Sequence, residues 1–268
     1  MDLNLPQIIT GLILSVILGL ISFRLKALTF SGTAGLIIIG TAVFGLGGII
    51  AAAPLLFFYI SSSLLSTIKT SVKETALQYA EKTGPRDIRQ VLANGGVAAV
   101  MLVIHSLTGN LLWYFLFLAA LAEAAADTWA TEIGILSHRR PLSIVTFKKV
   151  AAGQSGGVTI AGLAAALTGA MMTTFTGLVV LNTGLIDNPY SIGLTIGFCG
   201  WMGSVFDSVL GGSVQAQYKC VNCGKLTEKK THCRETALLH RGWRAIDNDT
   251  VNFASTLFTA ILGLVLLG

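Results

Sequence analysis

The chain has 268 residues, of which 53% are hydrophobic and 12% charged, with a mean hydropathy of +0.74. That balance excludes an ordinary water-soluble domain. The net charge of +5 would suit a nucleic-acid partner in a soluble protein, but the 18 Lys and Arg fall into four clusters between apolar stretches: Arg24 and Lys26, Lys69 to Arg89, Arg139 to Lys149, and Lys219 to Arg244. This pattern is positive-inside topology and argues against nucleic acid.

The first apolar window, Leu5 to Phe23, has Asp2 in place of a basic n-region and no small-residue cleavage site. It reads as a retained transmembrane helix rather than a signal peptide. If all four basic clusters are cytoplasmic, each stretch between them must cross the membrane an even number of times. Leu28 to Ser66 accommodates two helices around Gly45-Leu46-Gly47-Gly48, or a re-entrant pair at the same junction. Val91 to Leu136 makes two more, joined near Thr108-Gly109-Asn110. Gly156 to Gly212 adds two around Asn182 to Pro189, where Asp187 is the only charge, and Val251 to Leu267 is the last crossing.

The expectation is an all-α polytopic membrane bundle, one domain over residues 1–268, with about eight transmembrane helices and both termini outside. Three cytoplasmic loops follow: 67–90, 137–155 and 214–249. In the first, Ile68, Val72, Ala76, Tyr79 and Ala80 share one side at helical spacing, which predicts an interfacial amphipathic helix over Thr67 to Lys82.

A charged side chain at the centre of a membrane helix costs about 2.5–3.5 kcal/mol on insertion scales, so each one asks for a purpose. Glu123 and Asp127 lie one turn apart on the fifth helix with Thr131 on the same face, and Glu132 follows. Asp207 sits near the inner end of the seventh helix, and Asp247 and Asp249 flank Asn248 at the start of the eighth. Topology places Asp127, Glu132, Asp207 and Asp249 at one depth, joined by Asn94. Gly153-Gln154-Ser155-Gly156-Gly157 precedes the sixth helix, with Lys148 and Lys149 just before it. Its amides suit phosphate oxygens, while carboxylates opposite them suit Mg²⁺. The same residues would equally serve a transporter or flippase of a lipid phosphate or small anion.

Cys220-Val221-Asn222-Cys223, His232-Cys233 and His240 form a zinc-ribbon-like set in the longest loop. Cys220, Cys223 and Cys233 with either His232 or His240 would complete a structural Zn²⁺ site; the alternative is a group of reduced, free thiols. Cys199, within the seventh helix, reads as a packing residue.

Four ordered segments carry a resemblance: Arg89-Gln90-Val91-Leu92-Ala93-Asn94-Gly95, Asp127-Thr128-Trp129-Ala130-Thr131-Glu132-Ile133-Gly134, Gly153-Gln154-Ser155-Gly156-Gly157-Val158 and Asp247-Asn248-Asp249-Thr250-Val251-Asn252. Together they resemble the domain of unknown function 92 family, which includes animal transmembrane protein 19 and the plant and cyanobacterial phytyl-phosphate kinase. The resemblance implies a membrane kinase converting a prenyl-type monophosphate to its diphosphate with a nucleoside triphosphate, CTP foremost. It implies Asp127, Asp207 and Asp249 on Mg²⁺ and phosphate, and Glu132 as a further ligand or proton acceptor. Asn94, Lys148, Lys149, Gly153, Ser155, Gly156, Gly157 and Asn252 would hold nucleotide or phosphate. The family reads Gly-Thr-Asn-Gly-Gly where this chain has Gly153-Gln154-Ser155-Gly156-Gly157, so the glycines are kept and two side chains differ. The cysteine loop resembles a prokaryotic variant, which implies a plasma-membrane protein.

Overall fold

The computed structural model describes residues 4–76, 79, 81–137, 139–181, 186 and 188–268. Helix α1 (Leu5–Arg24) opens on Asn4, whose side chain accepts the Gln7 N–H at 3.2 Å. Its buried residues are Gly11, Ser15, Gly19 and Ser22, a stripe of small side chains that lets the backbone of α2 come close. Leu12, Ile13 and Ile17, on its other faces, remain exposed, as suits lipid.

Helix α2 (Phe30–Thr67) has 38 residues, about 57 Å if straight and nearly twice the hydrocarbon thickness. It is not straight. Gly48 holds φ 55°, ψ −148°, a conformation essentially confined to glycine. In the first half, Gly35 faces Ile88 and Val91, and Gly47 faces Leu102, so this half runs alongside α4 (Ile88–Thr108). In the second half, the Ile50 carbonyl accepts from the Tyr114 hydroxyl at 3.0 Å, Ser61 Oγ from Trp129 Nε1 at 3.2 Å, and Ser66 Oγ donates to Glu132 at 2.6 Å. That half therefore follows α5 (Leu111–Ile135). Since α4 and α5 are antiparallel across the turn at Gly109, α2 folds back on itself at Gly48. The expected glycine junction is thus a hairpin at a single residue, not a re-entrant pair. Pro54 cannot donate to the Ile50 carbonyl four residues back, and the Tyr114 hydroxyl serves it instead.

After α2 comes α3 (Ser71–Ala76), six residues long. The amphipathic helix expected over 67–82 is confined to it: Ile68 and Val72 are exposed, while Lys73 is buried. Of the residues placed on its apolar side, Ala80 lies outside the described residues, as do Asp2, Asn182 and Asp187 elsewhere. The remaining spans are α6 (Ile160–Val180), α7 (Pro189–Ser213) and α8 (Asn248–Leu267). Among the described residues, seven helices are long and apolar enough to cross a membrane; with α2 doubled back, they make eight crossings.

Helix α5 is the axle. It is buried on every side from Tyr114 to Ala126 and packs against α2, α4, α6, α7 and α8. Its apolar, alanine-rich middle needs no polar face because neighbouring helices replace lipid all round.

Short antiparallel strands organise the loops at the end of the bundle that carries all 18 Lys and Arg. β1 (Leu142–Ser143) pairs with β2 (Gly157–Val158). β3 (Gln217–Lys219) is flanked by β4 (Leu226–Thr227) and β7 (Leu238–Arg241), and β5 (Thr231–His232) pairs with β6 (Glu235–Thr236). The first and last described residues lie at the other end, where Asn4, Gln7, Gly45, His105 and Tyr114 gather and Gly268 nears Leu112.

Candidate phosphate and metal site at the basic face

Helices α5 and α7 run in the same direction in contact. Gly203 of α7 lies against the Glu123 side chain and Gly200 against Ala122. One turn further on, Asp127 and Asp207 are brought together at the basic end, close enough for their charges to interact. Helix α8 supplies the third wall: Ser255 Oγ donates to Asp207 Oδ2 at 3.1 Å. With its amide nitrogen turned inward, Asn252 donates to the same oxygen at 3.2 Å. Asp249, 6% exposed, lies two turns of helix before Thr256. Glu123, 1% exposed, stands deeper on α5 with Oε1 unpartnered among the described residues.

These carboxylates open into a cleft of about 1110 Å³ lined by Asp127, Glu132, Asp207, Asp249, Asn94 and Asn252, together with Gly153 through Gly157. The glycine turn bends at Gly153 (φ 82°) and Gly156 (φ 78°). Gly156 rests on the α7 backbone, where a Cβ would lie 2.6 Å from the Gly212 nitrogen, so a side chain there would push the turn off α7. Within it, Gln154 N–H goes to Ala151 O and Gly157 N–H to Gln154 O. The Ser155 and Gly156 amides have no protein acceptor among the described residues, which leaves them for an external anion. β2 and the cap residue Thr159 intervene before α6, so the turn stands as its own nest rather than as the mouth of that helix.

Lys26 reaches the cleft from the end of α1, and the other cations that line it come from the 67–90 loop. Lys82 Nζ pairs with Asp249 at 2.5 Å and Asp87 at 2.7 Å, and Lys73 Nζ with Glu132 at 2.5 Å. Arg89 pairs with Asp247 at 2.8 Å. Burial opposes the Lys82 charge, but its hydrogen bonds to Asp249 and Asp87 carry the ammonium above its ordinary value. Arg86, half-buried in the cleft wall, is held below its ordinary value by desolvation. The far wall is apolar: Leu18, Ile21 and Leu25 of the α1 end and Ile60 and Leu64 of α2 line the same cleft, and Ile21, Leu25, Ile60 and Leu64 are also exposed outward. A polar floor with an exposed apolar flank suits an amphiphile whose head is anionic.

Residues 13–260 match the family described as integral membrane protein DUF92. The chain belongs to the DUF92 family. It is 30% identical to Protein PGR of Arabidopsis thaliana over 96% of this chain and 94% of that protein. It is 24% identical to the uncharacterized membrane protein MJ0933 of Methanocaldococcus jannaschii, over 98% of this chain and 95% of that one. No solved structure matches.

Among the residues singled out in this DUF92 chain, the cleft gathers Asn94, Asp127, Glu132, Gly153, Ser155, Gly156, Gly157, Asp207, Asp249 and Asn252. Lys148 and Lys149 are not among its lining; they are exposed beside the exposed Phe147, beyond the β1 strand. Proximity to Gly153 in sequence did not carry them in, because the β1–β2 pairing turns that segment outward. Lys73, Lys82 and Arg86 occupy the cleft in their place. The available signal was their position just ahead of the Arg89 to Gly95 motif. Glu132 is engaged by Lys73 and Ser66, so it enters as part of a pair rather than as a free base.

Glu228 was also not foreseen. Its carboxylate accepts from Ser155 Oγ and, at 3.4 Å, from the Glu81 N–H, and burial pushes it above the ordinary carboxylate range. Of the two histidines considered for the cysteine set, His232 stands with Cys220, Cys223 and Cys233, all four donor atoms within 4.8 Å of one another. His240 is exposed on β7.

Proposed function

We propose that this chain is an integral membrane phosphotransferase that adds a phosphoryl group to a prenyl-type monophosphate, phytyl or polyprenyl, using a nucleoside triphosphate, with CTP the donor that the family resemblance favours. The observation that carries this reading is the cleft in which three membrane carboxylates, a glycine amide nest and partly buried cations meet an exposed apolar flank. The prenyl tail would lie along α1 and α2, with its phosphate on the polar floor.

In the reaction, an oxygen of the acceptor phosphate attacks the terminal phosphorus of the donor, and the bond to the nucleoside diphosphate breaks. The attacking oxygen is already anionic, so positioning and charge neutralisation carry the rate and no strong base is needed. Asp127 and Asp207, with Asp249 lining the same cleft, would hold Mg²⁺, which when bound would neutralise charge on the phosphate oxygens. Ser255 and Asn252 orient Asp207, the Ser155 and Gly156 amides take phosphate oxygens, and Lys82 and Arg86 offset the remaining charge. A transporter would be expected to break a helix near the membrane midplane. Among the described residues, the non-helical break inside a helix is Gly48, the turn between two crossings at the end opposite the cleft, which favours the kinase.

The test uses detergent-purified protein with phytyl, geranylgeranyl or farnesyl monophosphate, each labelled nucleoside triphosphate and Mg²⁺. Labelled prenyl diphosphate that vanishes in Asp127→Asn supports the reading. Folded protein giving no product with any pair overturns it and turns attention to transport in liposomes.

A further inference from the structure

The loop between α7 and α8, residues 214–247, folds into two small sheets around a core of only Ala216, Tyr218 and Ala237. So little apolar burial does not order a segment of this length, and small folds of this kind rely on a staple. Among the described cysteines none is disulfide-bonded. Two turns face each other. In the first, Cys220 to Lys225 connects β3 to β4, with Gly224 at φ 70° and its N–H on the Cys220 carbonyl at 3.0 Å. In the second, Cys233 (φ 53°) and Arg234 (φ 65°) form the two-residue tip of the β5–β6 hairpin. Both tip residues sit in the left-handed region without being glycine or asparagine, a cost the surroundings must offset.

We infer that Cys220, Cys223, His232 and Cys233 bind one structural zinc ion, and that this ion holds the loop as a lid that delivers Glu228 to the cleft. Tetrahedral zinc with sulfur at about 2.3 Å and nitrogen at about 2.0–2.1 Å sets neighbouring donor atoms about 3.5–3.8 Å apart. His232 Nδ1 lies 3.6 Å from Cys223 Sγ and 3.3 Å from Cys233 Sγ.

The lid follows from what the two stapled turns enclose. Glu228 lies between β4 and β5, hence between the two pairs of ligands. Its N–H donates to Tyr79 O at 2.7 Å, and its carboxylate meets Ser155 of the glycine turn. On the far side, Arg241 Nη2 donates to Gly211 O at 2.8 Å, anchoring β7 to the end of α7. The loop thus crosses from α7 to Tyr79 and Glu81, with Glu228 among the residues lining the cleft.

The experiment is metal analysis of full-length protein purified in detergent without chelator, with limited trypsin digestion as a second readout at Lys229 and Lys230. Wild type and His240→Ala should carry stoichiometric zinc and resist cleavage there. Cys223→Ser and His232→Ala should lose the zinc and be cut at those lysines while the helical bundle stays monodisperse. Should these variants fail to fold, wild type loaded with Co²⁺ gives the answer: a tetrahedral cobalt-thiolate spectrum is expected. Zinc at trace level in wild type, loss of zinc in His240→Ala but not His232→Ala, an octahedral cobalt spectrum, or zinc-free variants as trypsin-resistant as wild type would each overturn the proposal. None of these readouts needs turnover, so they stand apart from the fate of the kinase reading.

Discussion

Adding one methyl group at Gly200 tests whether the packing of α7 on α5 sets the carboxylate site. A Cβ there would lie 2.7 Å from Ala122 Cβ, 2.9 Å from the Ala122 carbonyl carbon and 3.0 Å from the Glu123 nitrogen, against about 3.5–4.0 Å for relaxed carbon contacts. Two of those neighbours are backbone, so α7 must retreat by about 0.5–1 Å. Overpacking of this kind costs about 1–3 kcal/mol, offset by the roughly 0.5–1 kcal/mol that alanine gains over glycine within a helix. Gly200→Ala should therefore lose up to about 2.5 kcal/mol net.

Asp207 lies seven residues along the same helix, so the retreat also moves it from Asp127, and a misplacement of about 1 Å lowers turnover roughly 100-fold. The matched control is Gly96→Ala on α4, where a Cβ meets nothing within 4 Å; it should gain about 0.5–1 kcal/mol. Equilibrium unfolding in mild detergent, with prenyl-phosphate turnover beside it, reads both. If Gly200→Ala proves as stable as Gly96→Ala, close helix packing at this seam does not position the site.

Three further outcomes are expected. Asp127→Asn and Asp207→Asn should each abolish turnover in protein that remains folded by circular dichroism and gel filtration; an active variant removes that carboxylate from the mechanism. Lys73→Met should cost about 3–5 kcal/mol, because it strands Glu132 at 14% side-chain exposure. Adding Glu132→Gln should recover much of that loss in a double-mutant cycle, and additive costs would refute the pairing. Asp87→Ala removes the capping box of α4, costing about 0.5–2 kcal/mol at neutral pH. Burial opposes the Asp87 charge, but the Lys82 and Gln90 hydrogen bonds hold its carboxyl below the usual 3.8. Its contribution is therefore present above that value and lost as pH falls through the lower folded value. The gap between variant and wild type in acid unfolding should narrow only in that range, and a gap that widened there would refute the assignment.

The membrane topology was readable without a structure. Each crossing satisfies its own backbone hydrogen bonds inside a run of apolar residues, so it is written locally, and the basic clusters mark one face. Even the fold-back of α2 was signalled by its glycine run, although only the backbone at Gly48 shows that one residue suffices. The carboxylate layer was readable for the same reason: Asp127 and Asp207 sit near the ends of two parallel helices, and Asp249 near the start of one that runs the opposite way.

Which groups meet across that layer is a different kind of information. Lys82 reaches Asp249 and Lys73 reaches Glu132 through a loop whose path has no period, while Lys148 and Lys149, nearer the glycine turn in sequence, are turned outward by a two-residue strand. Glu228 arrives from a loop on the far side of α7, and His232 joins the cysteines because a hairpin tip points there. Sequence by itself determined that the chain is a helical membrane bundle, which end is basic and which helices carry acid, since hydropathy and charge act residue by residue within each span; the two crossings of α2 needed the backbone at Gly48. Tertiary structure decided the pairings, because loop closure is settled by contacts between distant segments that no local pattern encodes.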